Sequence, residues 1–282
     1  MFTETFTQFS LSQIADSVAS GGYFFHPGTL DRAFIARMLE QFGPNRAPIN
    51  HNGLSTVCFG RQFFLNQILG QSKAAYDLVT SDRLLDIAET ILGKNIRLTA
   101  KRYYTTREGV SMQWHRDNKG APNQTQQLNG IIFIYYLTDV TEGAFQVVRG
   151  SDRLELDRID ADFPAGHVEE RYGDRIATLP GPAGSCVIYK LQMIHRAKPF
   201  AGIDYSRSSL FIQVTAEPTV AEPVLINTSF IDNLDERRRF FLGFGKREIC
   251  RQWPYTGVDT MDDQTTRAVF TAIQYYKEKI GA

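Results

Sequence analysis

No apolar run in the sequence approaches the roughly 20 residues needed to span a bilayer. The start, Met1-Phe2-Thr3-Glu4-Thr5-Phe6, lacks both the basic segment and the apolar stretch that direct secretion. Cysteine is scarce: Cys58, Cys186 and Cys250 are an odd number without metal-ligand spacing. They fit reduced thiols in a cytoplasm better than a disulfide framework. No charge of one sign prevails, since Lys+Arg and Asp+Glu stand at 31 each. No global field therefore attracts nucleic acid or an anionic membrane. Internal repeats, low-complexity tracts and Pro/Gly-rich linkers are also missing, so the 282 residues read as a single domain. The hydrophobic fraction of 43% and charged fraction of 22% are those of an ordinary globular protein with a full core.

Residues 11–93 read mainly as helix. Leu30, Phe34, Ile35, Met38 and Leu39 fall at helical spacing, which ends near Phe42-Gly43-Pro44. Ser81 suits the N-cap of a second helix over 82–92, with Leu84, Leu85, Ile87, Ala88, Ile91 and Leu92 as its buried stripe and Gly93 as its stop. Residues 51–64 read as a loop, either at a site opening or packed on the surface. From Ile96 the period drops towards two. Strands are expected over 96–104, 110–115, 130–137, 144–148, 185–191 and 208–214. Turns are expected at 107–109, 141–143 and 180–184, and a loop over 118–127. Residues 152–174 read as loop with some helix, and Asp152, Asp157, Asp160 and Asp162 as a solvated face. Helical patterns return at 234–242 and 262–280. Strands after a helical half point to a mostly β fold with flanking helices, a helix-buttressed sandwich or jelly roll.

The chemistry concentrates in Trp114-His115-Arg116-Asp117. On an extended strand, residues two apart project to one face, about 7 Å apart along the backbone. His115 and Asp117 would therefore present an imidazole and a carboxylate together. His195, after the apolar strand ending at Leu191, is the candidate third ligand. Two His and one carboxylate on one side of a metal form the facial triad of non-heme Fe(II) oxygenases. His-x-Asp alone is a weak signal; the ordered segments that follow it give it weight. These are Gly143-Ala144-Phe145-Gln146-Val147-Val148-Arg149-Gly150-Ser151, then His195, then Arg207, twelve residues beyond.

With those four segments in order, residues 80–216 resemble the phytanoyl-CoA dioxygenase-like branch of the Fe(II)/2-oxoglutarate-dependent oxygenases. The resemblance implies a double-stranded β-helix (jelly roll, cupin-like) core at about 95–216, a helical N-terminal part at 11–93 and a C-terminal helical extension at 217–282. It implies Fe(II), 2-oxoglutarate and O2 as cofactor and cosubstrates, His115, Asp117 and His195 as metal ligands, and Arg207 on the far carboxylate of 2-oxoglutarate. An Arg fork suits that carboxylate because it can bind both oxygens. The sequence departs from the family at Asp152, where a His is usual, and at Ala197, where a hydroxyl is common. Lys101, Arg102 and Tyr103 are candidates to help hold the cosubstrate, with the pleat register unfixed. Phe133 and Tyr135 share one strand face, either lining the pocket or packing in the core. Halogenating relatives lack the carboxylate that Asp117 supplies, so its presence favours hydroxylation or a related oxidation. The expected substrate is a small molecule, a natural-product intermediate or amino-acid derivative. Nucleic acid and membrane are not expected as partners, and the sequence does not bear on oligomeric state. A non-catalytic jelly-roll binding protein with a remnant site, or a cupin using no oxoacid, are the competing readings.

Overall fold

The computed structural model describes residues 1–42, 56–59, 62–107, 112–117, 129–154, 163–164, 166–200, 205–216, 220–222, 224–231, 234–244 and 249–250. The expected loop at 118–127 and helix at 262–280 lie outside these. In chain order the elements are α1 (Glu4–Thr7), α2 (Leu11–Gly21), β1 (Tyr23–His26), α3 (Arg32–Gln41), β2 (Thr56–Phe59) and β3 (Gln62–Leu65). Next come α4 (Ile68–Gln71), α5 (Lys73–Val79), α6 (Asp82–Leu92), β4 (Ile96–Arg107), β5 (Gly130–Tyr136) and β6 (Val140–Val148). Then follow α7 (His167–Tyr172), β7 (Ile176–Gly181), β8 (Cys186–Lys190), β9 (His195–Ala197), β10 (Ser206–Ala216), β11 (Val220–Ala221), α8 (Glu236–Leu242) and β12 (Ile249–Cys250).

Among the described residues, two antiparallel sheets face each other in a jelly roll. The major sheet has the order β1-β8-β5-β10-β4-β3-β2 and the minor sheet the order β7-β6-β9. Strand alternation decides what each face meets. On β5, Ile131, Phe133 and Tyr135 pack into the core under the helices, with Leu85 of α6 and Ile14 of α2. Ile132, Ile134 and Tyr136 point the other way and pack against Phe145 and Val147 of the minor sheet. Both faces are covered, so every residue of β5 is buried. This is why the segment reads as an unbroken apolar run.

The helix α6 spans 82–92 as expected. The Ser81 hydroxyl accepts the Leu84 amide N–H, and Gly93 closes the helix at φ +90°. Such a cap typically stabilises by about 1 kcal/mol. Elsewhere the structure corrects the sequence reading. The helices expected over 11–93 make up most of its described residues, but β1 and the β2–β3 hairpin, the latter where a loop was expected at 51–64, form the two edges of the major sheet. Of the strand expected at 110–115, the described part is irregular and pairs only at His115. The turn expected at 141–143 is a bulge inside β6, where the register slips between Val140 and Phe145 and Gly143 takes φ +62°. Asp152 is not solvated: its buried carboxylate pairs with Lys190 at 2.7 Å.

Candidate metal centre

The minor sheet ends in β9, three residues long, which pairs with β6 so that His195 lies opposite Val147. On its free side β9 meets the 112–117 segment through one bridge. The His115 N–H donates to the His195 carbonyl at 3.0 Å, and the His195 N–H donates to the His115 carbonyl at 3.0 Å. Directly paired residues put their side chains on one face. The two imidazoles accordingly lie with centroids 4.3 Å apart. Their tautomers follow from the backbone. His115 Nδ1 is 2.8 Å from the Gln113 carbonyl, and His195 Nδ1 is 3.1 Å from the Met193 carbonyl. A carbonyl can only accept, so each Nδ1 carries its proton and, in the neutral ring, each Nε2 keeps a lone pair. Burial lowers the pKa of His195 to about 4, and His115 pushes the same way against the opposing pull of Asp117. His195 is therefore neutral near pH 7, as a ligand must be.

Asp117, two residues beyond His115, brings its carboxylate to the same point. Its Oδ2 lies 3.3 Å from His195 Nε2 and its Oδ1 lies 3.9 Å from His115 Nε2. One ligand atom from each of the three residues lies within 4.8 Å of the others. Adjacent ligand atoms around an octahedral ion with bonds near 2.1 Å sit about 3 Å apart. The cluster therefore fits one divalent ion, with a single negative charge in the donor set. Tyr189, which the sequence did not flag, closes one side. Its hydroxyl donates to Asp117 Oδ2 at 2.8 Å and lies 3.3 Å from His195 Nε2.

The cluster opens into a cavity of about 450 Å³, within the usual range for a ligand pocket. Arg207 lies in its wall and is 5% exposed. One Nη donates to the Gly143 carbonyl at the β6 bulge, and its buried Nε has no hydrogen-bond partner among the described residues. A buried guanidinium with an unused donor at a cavity wall suits an anion. Ser209 and Phe211 share its strand face, and Tyr104 and Tyr136 are the cross-strand partners of Ser209; all four line the cavity. Phe64, Arg102, Met112, Ile134, Phe145 and Arg196 complete most of the wall. Arg102 pairs with the buried Glu222 carboxylate.

Four sequence candidates lie elsewhere. Phe133 and Tyr135 belong to the core under the helices, with the opposite residues Ile134 and Tyr136 at the cavity. Lys101 and Tyr103 lie opposite Ile212 and Leu210 on that same helix-covered face, while Arg102 and Tyr104 take the cavity face. The cause is a bulge in β4. Opposite Gln213 and Val214 the register skips from Ala100 to Leu98. Ile96 and Leu98 face the helices before the skip, and Lys101 and Tyr103 after it, so the parity reverses along one strand. The Ser209 and Phe211 positions were readable, since they follow Arg207 at period two. Tyr189 carried no such signal, because its contact is made only in the folded chain.

The ligand segments are held from both sides. Glu169 of α7 accepts the Trp114 indole N–H at 2.9 Å and pairs with Arg196 at 2.8 Å. Burial would raise the Glu169 pKa, but the Trp114 bond, a bond from its own backbone N–H and the Arg196 charge together outweigh it and lower it. The Arg196 guanidinium lies 4.3 Å over the Trp114 ring. One carboxylate thus joins the residue before His115 to the residue after His195. On the other side Arg116 donates to the Ser151 carbonyl at 2.6 Å.

The sequence model described as phytanoyl-CoA dioxygenase (PhyH) matches residues 20–208, more than half of the chain and all of the cluster just described. The chain belongs to the phytanoyl-CoA dioxygenase family. Its class is accordingly that of the non-heme oxygenases that use iron and 2-oxoglutarate. Solved structures share the fold. The epimerase SnoN, in complex with Fe3+, alpha ketoglutarate and nogalamycin RO, is 21% identical at a TM-score of 0.60, covering 90% of this chain and 96% of that one. EctD from S. alaskensis in its apoform is 19% identical at a TM-score of 0.61, covering 82% of this chain and 85% of that one. HygX from Streptomyces hygroscopicus, with nickel and 2-oxoglutarate bound, is 14% identical at a TM-score of 0.58, covering 76% and 90%. No curated protein matches the chain by sequence. Among the described residues no helix is long and apolar enough to cross a membrane.

Proposed function

We propose that this family member oxidises a C–H bond of a small molecule, by hydroxylation or a related oxidation, with release of succinate and CO2. His115, Asp117 and His195 hold Fe(II), and Arg207 binds the far carboxylate of 2-oxoglutarate. The single observation that carries the reading is the meeting, at one cavity, of two imidazole Nε2 atoms and a carboxylate with a buried Arg207 whose Nε is unused. A binding module with a decayed site would not need to keep all four. Iron with 2-oxoglutarate supplies the oxidising chemistry, and the protein orients its target.

The chain's own residues have distinct tasks. The backbone carbonyls of Gln113 and Met193 hold the protons on Nδ1 of His115 and His195 and so aim each Nε2 at the ion. Asp117 supplies one negative charge, and its presence favours hydroxylation over halogenation. Arg207, fixed at Gly143, directs its remaining donors to the cosubstrate. Since position 197 holds no hydroxyl, Tyr104 and Ser209 beside Arg207 are the hydroxyls placed to assist it. Phe64, Met112, Ile134 and Phe211 give the substrate an apolar wall, and Arg102 gives it a polar edge. This mixed lining suits an amphipathic natural-product intermediate or amino-acid derivative. The fold neighbours were crystallised with compounds of this breadth, including nogalamycin RO, hygromycin B and 5-hydroxyectoine. We read the chain as one domain, placed in the cytoplasm by its reduced-cysteine pattern.

The test is succinate release from 2-oxoglutarate with Fe(II), across a panel of such compounds. Substrate-stimulated succinate in the wild type, absent in His115→Ala, supports the reading. Equal succinate in both proteins overturns it.

A further inference from the structure

We infer that Tyr189 is a positioning residue for the metal site: its hydroxyl takes up one oxygen of Asp117 and leaves the other to the ion. The inference rests on the metal site proposed above. Tyr189 is 1% exposed and sits on β8, between β1 and β5 in the interior of the major sheet. Its ring packs between Phe145, with centroids 4.8 Å apart, and His195, at 4.7 Å. A buried phenol needs an acceptor. Two stand within reach, Asp117 Oδ2 at 2.8 Å and His195 Nε2 at 3.3 Å. Once His195 Nε2 gives its lone pair to an ion it can no longer accept. Asp117 Oδ2 is then the remaining acceptor of the two.

Asp117 needs such a partner. Strand pairing reaches the 112–117 segment only at His115 among the described residues, and the anchors at Trp114 and Arg116 do not touch the Asp117 carboxylate, so neither sets its rotation. The hydroxyl comes instead from an interior strand, the more rigid support. With Oδ2 held by Tyr189, Oδ1 is the oxygen on the His115 side, 3.9 Å from its Nε2. Asp117 then serves as a one-oxygen ligand and leaves more of the coordination shell to cosubstrates.

The experiment measures Co(II) and Mn(II) affinity of the full chain by calorimetry, without 2-oxoglutarate, for wild type, Tyr189→Phe, Asp117→Ala and the double variant. Losing a partner of a ligating group typically weakens metal binding about 10- to 100-fold. We expect that loss in Tyr189→Phe, with the metal-free protein still folded and its melting temperature lowered only modestly by the lost bond to Asp117, because the ring packing is kept. We expect no further loss when Tyr189→Phe is added to Asp117→Ala, since the hydroxyl acts through that carboxylate. The Co(II) absorption spectrum of Tyr189→Phe at saturating metal should also differ from wild type. Equal affinities in wild type and Tyr189→Phe, or an equal loss on both backgrounds, overturn the role. A visible phenolate-to-Fe(III) band in the wild type, lost in Tyr189→Phe, overturns it too, by making Tyr189 a ligand. Affinity unchanged by His115→Ala, or no binding in the wild type, refutes the underlying metal site instead, and Tyr189's role with it.

Discussion

Replacing Arg207 by Ala should raise the apparent requirement for 2-oxoglutarate far more than that for the primary substrate. Arg207 is 5% exposed and lines the cavity wall, where its guanidinium can meet a carboxylate. A hydrogen bond to a charged group contributes about 1.5–3 kcal/mol. At about 1.4 kcal/mol per tenfold, the expected loss in 2-oxoglutarate affinity is roughly ten- to roughly a hundred-and-fiftyfold. The substitution also strips the Gly143 carbonyl of its donor, which costs the fold about 1 kcal/mol. Melting temperature must therefore be followed beside binding. Arg207→Lys keeps the charge but not the planar fork, and should fall between wild type and Arg207→Ala. The assay is calorimetric 2-oxoglutarate binding to the Mn(II)-loaded protein, with succinate release measured as a function of 2-oxoglutarate. An unchanged 2-oxoglutarate dependence in a folded Arg207→Ala protein would refute the reasoning and assign the carboxylate to another residue.

Further outcomes follow from the same geometry. Asp117→Gly should open a coordination position that chloride or bromide can fill, restoring both the ligand and the charge; anaerobic spectra should respond to halide in the variant and not in wild type. Glu169→Ala should destabilise the fold by about 1–3 kcal/mol by stranding the buried Trp114 indole N–H, nearer the lower figure because the Glu169 side chain is 41% exposed. Denaturant unfolding measures this, and an unchanged midpoint would contradict the clasp. In the metal-free protein, the pKa of His195 is about 4 against an ordinary value of 6.5. The unfolded chain binds more protons between those values, so stability falls as pH drops from about 6.5 to about 4, by up to about 3 kcal/mol from this group. Unfolding of wild type and His195→Gln across that range should diverge; parallel curves would contradict it.

Much of this was legible because local signals agreed with the fold. Ser81 and Gly93 bracket α6 at its observed ends. The 130–137 and 208–214 runs are central strands. The order Trp114-His115-Arg116-Asp117, 143–151, His195 and Arg207 pointed to residues that the fold gathers at one cavity. What escaped had physical causes. The bulge opposite Gln213 and Val214 reverses the parity of β4, so Lys101 and Tyr103 face the helices while Arg102 and Tyr104 face the cavity. On β5 both faces are buried, so nothing in the pattern separated Phe133 and Tyr135 from Ile134 and Tyr136. Strands as short as β1 and β9 carry too few residues to show a period. The contacts of Tyr189 with Asp117 and of Glu169 with Trp114 and Arg196 join distant parts of the chain.

The most direct measurement is the anaerobic visible spectrum of the protein with Fe(II) and 2-oxoglutarate, for wild type and for His115→Ala, Asp117→Ala and His195→Ala. Chelation of Fe(II) by the 2-oxoacid group within a protein site gives a visible charge-transfer band that neither component gives alone. The account predicts this band in wild type, dependent on both additions, and its loss or strong weakening in His115→Ala and His195→Ala with the fold retained. A wild-type protein without the band at saturating Fe(II) and 2-oxoglutarate, or a band of equal strength in His115→Ala or His195→Ala, would contradict it.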